Sequence, residues 1–299
     1  MTSRLAHDAV RVRVPATSAN VGPGFDSLAL ALSLHDVVTV HRRELGGVSV
    51  KVSGEGAGTL PSDEQNLVAR SMYAVFEALG QRPPGFSIEC YNEIPQERGL
   101  GSSAGAITAG ILAARALIAD GTTVMSDQDV LSLAAKLEGH PDNPAACLLG
   151  GFTITWTESG GQQAVKLKPA ADVRCVVYVP DRRMNTSEAR SLLPTSISHA
   201  DAVDNARRTA LLVHALTVEP QLLLTATEDR LHQPFRSVAL PETAALLLSL
   251  REAGIAAVLS GAGPSVLAFG TGSWDPPLSP GWETLRLEVD LRGAVVEFI

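Results

Sequence analysis

The 299-residue chain contains only three cysteines, Cys90, Cys147 and Cys175, and they form neither a CxxC pair nor a Cys/His ligand pattern. The sequence therefore offers no disulfide framework and no zinc site, which favours a reducing cytoplasm. No uncharged apolar run reaches the ~18 residues that cross a bilayer, because the longest candidate, residues 104–119, contains Arg115. The N-terminal residues also lack an apolar secretion signal. We therefore expect no membrane partner.

Basic residues are outnumbered, with 24 Lys and Arg against 32 Asp and Glu and a formal net charge of −8. Binding of nucleic acid rests on clustered Lys and Arg, so we expect no nucleic-acid partner. A local site for a small anion stays open, since backbone dipoles can attract phosphate without basic side chains. Aromatic residues make up only 4% of the chain, so Ala, Leu and Val must fill most of the core.

The hydrophobic periodicity predicts a mixture of strands and helices. The predicted strands are 10–14, 37–40, 48–52, 86–90, 153–156, 165–167, 174–179, 256–259, 265–269 and 295–299. The predicted helices are 28–34, 66–79, 102–118, 130–137, 187–193, 200–216, 220–226 and 242–253. The turn signal at 44–47 predicts a hairpin between 37–40 and 48–52. Because the elements show no regular βαβ alternation, the class is α+β, with predicted domains 1–167 and 168–299.

The most informative segment, PQERGLGSSA from Pro95 to Ala104, leads into a buried helix. It lacks the Lys of the P-loop and the three-glycine pattern of dinucleotide folds. Gly99 and Gly101 can adopt positive φ and let the backbone approach an anion. Ser102 and Ser103 begin a helix, where free N–H groups favour phosphate and the hydroxyls can ligate Mg²⁺. An ordinary capped helix after a turn is an equally good interpretation of this segment alone.

Three further segments are rich in small, polar and turn-forming residues. They are PATSANVGPGFD at 15–26, EGHPDN at 138–143 and SGAGPS at 260–265. The first makes a poor core segment and is typical of a small-molecule binding loop, with ordinary loop chemistry as the alternative. The second places several functional groups in one turn, and the third exposes its backbone between two predicted strands. Asn20 and Asp26 are the polar contacts that the first of them offers.

These four segments, in this order, resemble those of the GHMP kinase superfamily and, within it, the homoserine kinase family. PATSANVGPGFDSLALAL is similar to the N-terminal signature of that family, and GLGSSAG is similar to the phosphate loop of the whole superfamily. The likeness extends over about residues 10–270. It implies a two-domain GHMP kinase fold, with an N-terminal domain like domain 2 of ribosomal protein S5 and a ferredoxin-like C-terminal domain. The ligands would lie between them.

The resemblance implies ATP-dependent phosphorylation of L-homoserine in threonine biosynthesis, with Mg²⁺ as the cofactor. The implied nucleotide site comprises Pro95, Gln96, Glu97, Arg98, Gly99, Leu100, Gly101, Ser102, Ser103, Ala104 and Asn66. The implied metal ligands are Ser103 and Glu138. For Asn66 a plain helix N-cap, and for Glu138 a surface carboxylate, are alternative interpretations. A homodimer is also implied.

The implied homoserine site comprises Asn20, Asp26, His140, Asn143, Thr186, Arg190, Arg236 and Gly261. The two arginines would hold the carboxylate, a task for which the planar guanidinium is suited. The polar groups of Asn20, Asp26 and His140 would hold the ammonium group. Asn143 would position the reacting hydroxyl. Asp142 would be either a general base or a residue that positions its neighbours.

Two other functions are compatible with the same motifs. The chain could phosphorylate another small alcohol, such as mevalonate or a sugar, or it could be a non-catalytic nucleotide-binding protein on the same scaffold. An isoprenoid kinase would not need Asp26 opposite Arg190 and Arg236. The pocket for a zwitterion therefore discriminates among the kinases.

Overall fold

The computed structural model describes residues 5–44 and 46–299, so the predicted turn at 44–47 lies partly outside the described residues, at Leu45. The strands are β1 (Ala9–Ala19), β2 (Leu28–Arg43), β3 (Val48–Gly54), β4 (Gly85–Asn92), β5 (Phe152–Glu158), β6 (Gly161–Leu167), β7 (Val173–Pro180), β8 (Ala256–Leu259), β9 (Val266–Thr271), β10 (Trp282–Leu287) and β11 (Val295–Phe298). The helices are α1 (Leu67–Ala78), α2 (Ser102–Leu117), α3 (Gly121–Val124), α4 (Asp127–Glu138), α5 (Asp142–Leu149), α6 (Thr186–Ser191), α7 (His199–Thr217), α8 (Leu223–Ala226), α9 (Gln233–Ser237) and α10 (Pro241–Glu252).

Two sheets organise these elements. The first has the order β11-β1-β2-β4-β3, and β5 extends it by pairing with the start of β2 and with β6. The second has the order β10-β7-β9-β8 and is antiparallel throughout. The mixed α+β class predicted from the sequence is confirmed.

Two predictions about the first sheet are wrong. Residues 28–34 form the beginning of β2 rather than a helix. Residues 28–32 are all buried because the leucines on one face join the cluster between the sheets and the alanines on the other face pack against Ala146 of α5. A strand buried on both faces reads as a continuous apolar run, which periodicity alone does not separate from a helix. The predicted hairpin of 37–40 with 48–52 is also absent from the described residues, since β3 pairs in parallel with β4, which lies between β2 and β3.

Helix α2 is buried on almost every side, as its Ala-rich sequence predicts. It packs against β1 on one side and α1 on the other. The two helices approach closely at Gly110, where a β-carbon would lie 2.5 Å from the carbonyl oxygen of Val68 and 2.8 Å from Cβ of Ser71. This close packing fixes the position of α2, and therefore of the glycine-serine loop that precedes it.

One hydrophobic cluster connects the two sheets. It joins Leu28 and Leu30 of β2 to Val177 of β7 and to Leu212 and Leu216 of α7. The predicted boundary after residue 167 falls between β6 and β7, while β11 pairs with β1 of the first sheet. The division into domains 1–167 and 168–299 stays a prediction.

The cysteines Cys90, Cys147 and Cys175 are free and buried. Burial raises the pKa of each thiol to about 12, so all three are protonated and unreactive at neutral pH. Across the described residues, no helix combines the length and the apolar character that crossing a bilayer requires.

We predict that Gly110→Ala destabilises the protein by about 1–3 kcal/mol, because the added methyl group collides with α1. Gly105→Ala is the matched control in the same helix, where a β-carbon would meet Cγ2 of Val14 at an ordinary 3.5 Å. There the lower flexibility of the unfolded chain should stabilise the protein by about 0.4–1 kcal/mol. Urea unfolding followed by circular dichroism measures both free energies. Equal shifts in the two variants would contradict the close helix contact.

Candidate active site

All four segments singled out in the sequence line one cleft with about 890 Å³ of empty space. The lining residues from these segments are Ala19, Asn20, Asp26, Pro95, Glu97, Gly99, Leu100, Gly101, Ser102, Ser103, Glu138, His140, Asp142, Asn143, Gly261, Ala262 and Gly263. Thr186, Arg190 and Arg236 line the same cleft. The fold thus gathers residues more than 200 positions apart.

The glycine-serine loop is held in place by hydrogen bonds to neighbouring loops. Ser260 donates its hydroxyl to the carbonyl of Gly99 at 2.7 Å, and the carbonyl of Leu100 accepts from the backbone N–H of Thr17 at 3.0 Å. Gly99 and Gly101 both have positive φ, and a β-carbon at either would collide with Ser260 or Thr17. Glycine is therefore required at both positions by conformation and by space.

The start of α2 is open to an anion. Its N-cap is Gly101 in the left-handed conformation, and no side chain caps the helix there. The first N–H groups of the helix thus have no acceptor within it, and Ser102 and Ser103 line the cleft. Free N–H groups and the helix dipole together form a site for a phosphate-like group.

A second cleft, with about 1010 Å³ of empty space, adjoins the first at Glu97, Ser102 and Ser103. Its walls are mostly apolar and come from β1 to β4, from α1 and α2 and from the loop before α1; they include Val14, Val38, Val52, Leu60 and Val68. A flat apolar group fits such a surface.

Asn66 and Gln96 line this second cleft. Asn66 is also the N-cap of α1: its Oδ1 accepts from the N–H of Val68 at 3.0 Å, and its Nδ2 donates to the carbonyl of Pro61 at 2.9 Å. The structure therefore supports the plain N-cap interpretation, with the side chain forming part of the wall.

Arg98 is directed away from both clefts. Its guanidinium donates to the carbonyls of Pro180 and Asp181, each at 2.7 Å, and to that of Gln96 at 2.9 Å. Of the predicted nucleotide-site residues, it is the one whose side chain ties the loop to the end of β7. Neither cleft is lined by Ala104, which is fully buried in the first turn of α2.

Ser103 and Glu138 bring two oxygens together at the edge of the cleft. The hydroxyl of Ser103 donates to Oε2 of Glu138 at 2.7 Å. Glu138 ends α4, and Gly139 in the left-handed conformation turns the chain back toward the cleft. Burial raises the pKa of the Glu138 carboxyl, although the hydrogen bond from Ser103 opposes this effect.

His140, Asp142 and Asn143 form a connected set. Oδ1 of Asp142 accepts from Nδ1 of His140 and from the N–H of Asn143, both at 2.8 Å. Oδ1 of Asn143 accepts from the hydroxyl of Thr17 at 2.7 Å. Nδ2 of Asn143 has no protein partner among the residues described, so it can donate to a ligand in the cleft.

On the opposite side of the cleft lies Arg236, only 1% exposed. Its Nη1 contacts Nδ1 of His232 at 3.0 Å and donates to the carbonyl of Gly261 at 3.2 Å, while its Nε donates to Ala189 at 3.4 Å. Within 5–44 and 46–299, no carboxylate lies within 4.0 Å of it. Burial, reinforced by the charge of Arg190, lowers the pKa of Arg236 to about 10, so the side chain is charged at neutral pH.

Asp26 and Arg190 form a two-pronged ion pair at the mouth of the cleft, with N–O distances of 2.8 and 3.0 Å. The N–H of Asp26 donates to Oδ1 of Asn20 at 3.0 Å, and Nδ2 of Asn20 donates to the carbonyl of Gly261 at 2.7 Å. Asn20 thus links the 15–26 segment to the 260–265 loop. Thr186 begins α6, which carries Arg190.

Three residues that support the site, Thr17, Asp229 and His232, were not predicted from the sequence. The carboxylate of Asp229 accepts from the N–H groups of Leu231, His232 and Gln233 and so caps the start of α9. Asp229 lies three residues before the N-cap His232, outside the position where an N-cap signal is sought, so the local pattern does not reveal it. The contact of His232 with the 15–26 segment has no local signal.

Comparison with known proteins decides the family. Residues 66–151 match the model of the GHMP kinases N terminal domain. A homoserine kinase from Streptomyces avermitilis is 52% identical over 292 residues, which cover 96% of this chain and 95% of that protein. The chain belongs to the homoserine kinase family. The predicted resemblance is confirmed.

Other members of the homoserine kinase family agree. One from Streptomyces coelicolor is 51% identical over 96% of this chain and 94% of its own length. The crystal structure of homoserine kinase from Cytophaga hutchinsonii aligns with a TM-score of 0.83 at 28% identity, covering 99% of this chain and all of that one. The predicted GHMP kinase fold is therefore confirmed as well.

We predict that Asp142→Asn lowers the pKa of His140. Burial favours the neutral ring, but the hydrogen bond and charge of Asp142, followed by the charge of Glu138, outweigh it and raise the pKa above its usual value. Without the charge of Asp142, burial dominates. Titration of the His140 ring by NMR measures the change. Glu138→Gln is the control and should lower the pKa less; an unchanged pKa in Asp142→Asn would contradict the assignment.

Proposed function

We propose that the protein transfers the γ-phosphoryl group of ATP to the side-chain hydroxyl of L-homoserine. The observation that carries the proposal is Arg236, a buried cation with no carboxylate within 4.0 Å among the described residues, in the same cleft as the carboxylate of Asp26. A buried charge is costly unless it is paired. A ligand that brings its own carboxylate would pair it.

The two charges of an amino acid fit the two sides of the cleft. The carboxylate would bind Arg236, with Arg190 completing the pair of guanidinium groups, and the ammonium group would approach Asp26. Because Asp26 and Arg190 are paired with each other, binding would exchange part of this ion pair for contacts with the ligand. Mevalonate carries a carboxylate but no ammonium group, so it would leave the Asp26 side without a charged partner. A sugar carries neither group and would leave both sides without one.

ATP would occupy the second cleft with its base and the start of α2 with its phosphates. The supporting observations are the apolar walls of that cleft and its junction with the first at Ser102 and Ser103. The uncapped N–H groups of α2 would then hold the phosphates. This arrangement brings the terminal phosphate to the homoserine side of the loop.

The residues present fit Mg²⁺. Ser103 and Glu138 offer two oxygens at the cleft edge, which is the hard ligand type that Mg²⁺ prefers. Within the described part of the chain, no group of three or more His, Cys, Asp and Glu could hold a metal ion by itself. The remaining ligands would be phosphate oxygens and water, which is usual for Mg²⁺ at a nucleotide site. When bound, the ion neutralises charge on the phosphate oxygens.

The chemistry needs mainly positioning and charge stabilisation, since the transition state of phosphoryl transfer is loose. Asn143 would hold the attacking hydroxyl through its free Nδ2, with its Oδ1 fixed by Thr17. The N–H groups of α2 would stabilise charge on the transferred group. We assign Asp142 a positioning role, because Oδ1 of this buried carboxylate already accepts hydrogen bonds from His140 and Asn143.

We predict that ATP-dependent ADP release is fastest with L-homoserine. A coupled assay over homoserine, threonine, mevalonate and galactose should give a kcat/KM for homoserine at least roughly 100-fold above the others, because polar groups left unpaired in a buried site reject analogues strongly. Threonine keeps the ammonium and carboxylate groups of homoserine but carries its hydroxyl at a different position. Its rate therefore tests whether the enzyme requires the hydroxyl position of homoserine. Equal rates with mevalonate would favour the isoprenoid alternative, and nucleotide binding without turnover would favour the non-catalytic one.

We predict that Arg236→Ala raises the homoserine KM by roughly thirtyfold or more, because truncating one partner of a buried charge pair costs at least about 2 kcal/mol. The KM for ATP should change little. Arg286→Ala is the control, since Arg286 is exposed and pairs with Asp275 outside both clefts. Steady-state kinetics measure both constants. A parallel rise of the two KM values would count against the assigned role.

A further inference from the structure

His232 is a fully buried histidine next to the proposed carboxylate site. One ring nitrogen, Nε2, lies 2.8 Å from the carbonyl oxygen of Gly22, and the other, Nδ1, lies 3.0 Å from Nη1 of Arg236. The ring stacks on Phe25 with a centroid distance of 5.2 Å, and the guanidinium of Arg236 lies 5.5 Å from the centroid of the same Phe25 ring. His232 therefore connects the 15–26 segment to α9.

The two hydrogen bonds determine the protonation state of the ring. A carbonyl oxygen only accepts, so Nε2 must carry the hydrogen that it donates to Gly22. A guanidinium only donates, so Nδ1 must present a lone pair to Arg236. Both bonds can form together only in the neutral Nε2–H tautomer.

We propose that His232 is a positioning residue for Arg236, and that its neutral Nε2–H tautomer directs the guanidinium toward the carboxylate of the substrate. This inference rests on the proposed function, since it assigns the mechanism by which one side of the cleft binds an amino acid. Nη1 of Arg236 is committed to His232 and Gly261, whereas Nη2 has no protein partner within the described ranges. Nη2 is thus the donor left for a ligand.

A neutral acceptor suits this task better than a carboxylate would. A carboxylate beside Arg236 would neutralise the charge that is needed for the substrate, whereas a neutral imidazole orients the group and leaves its charge available. The nearby carboxylates are occupied elsewhere. Asp229 accepts three backbone N–H groups, and Asp26 pairs with Arg190.

Protonation of His232 would remove this arrangement. Nδ1 would become a donor facing the Nη1 donor of Arg236, and two positive charges would lie in contact. The charged groups that face the ring are Asp229, whose Oδ2 is 3.5 Å from Nε2, Arg236 on α9 and Asp26 from the 15–26 segment. Burial, aided by Arg236, lowers the pKa of His232 below its usual value despite Asp229. The neutral ring therefore persists at neutral pH and is lost only on the acid side.

Two substitutions test separately the two hydrogen bonds that the His232 ring makes with Gly22 and Arg236. His232→Asn places an amide oxygen near the position of Nδ1, where it can accept from Arg236. His232→Gln places its amide near the position of Nε2, where it can contact Gly22 but cannot accept from Arg236. We expect His232→Gln to raise the homoserine KM by roughly tenfold or more, because a hydrogen bond to a charged group is lost. The KM for ATP should change less than about twofold, and His232→Asn should retain most of the wild-type affinity.

Three controls accompany these variants. His214→Gln changes an exposed histidine of α7 that pairs with Glu219. It should leave both KM values unchanged. In an Arg236→Ala background, His232→Gln should add little to the homoserine KM, because the group that it positions is gone. The wild-type homoserine KM should rise as the pH falls through the pKa of His232, and this acid rise should disappear in His232→Asn.

The outcomes are distinguishable. A wild type that does not turn over homoserine rejects the proposed function before any variant is compared. An active wild type with an unchanged homoserine KM in His232→Gln, or with full additivity in the double variant, overturns the positioning role alone. If a variant fails to fold in thermal melts, ¹⁵N NMR of the wild-type ring decides the matter. The Nε2–H tautomer at neutral pH is expected, and an Nδ1–H or charged ring would overturn the proposal.

Discussion

The charge of Arg236 is the constraint on which the rest of the site depends. Removing a guanidinium from water is costly, and the protein compensates with acceptors from separate parts of the chain. These are the carbonyls of Ala189 and Gly261 and the ring of His232. Each acceptor is neutral, so the positive charge is stabilised in place without being cancelled. The loops that supply these acceptors must therefore stay together, and their packing keeps the cleft in a form ready for an anionic ligand.

Neutral groups also determine the electrostatics on the other side of the cleft, at the start of α2. In this region, where we propose that the phosphates bind, the positive potential comes from backbone N–H groups rather than from a side chain. A chain with a net charge of −8 can therefore still offer a local site for an anion. The loop before α2 is fixed by hydrogen bonds from Ser260 and Thr17 and by glycines that leave no room for a side chain. Because Thr17 also holds Asn143, the two halves of the cleft share one support.

Local patterns in the sequence were sufficient to predict the buried helix α2 and to single out the loops that line the cleft, because glycine, serine and proline at fixed offsets determine the backbone directly. Patterns failed where the outcome depends on neighbours. The run at 28–34 becomes a strand only because β1 and β5 lie on its two sides. Arg98 reads as part of a phosphate loop, yet its guanidinium is captured by β7. The contact of His232 with Gly22 joins residues 210 positions apart. No local sequence pattern predicts a contact between residues so far apart in the chain.

Strand β11 has a consequence for how the protein is made. It pairs with β1 at Val10–Arg13, so residues 295–298 cover the edge of a strand that lies far earlier in the chain. During translation the nascent chain therefore carries β1 with one edge unpaired until those residues have left the ribosome. An unpaired edge is prone to aberrant association. The alternating arginines Arg11 and Arg13 on this strand provide charge that discourages such association until β11 pairs with it.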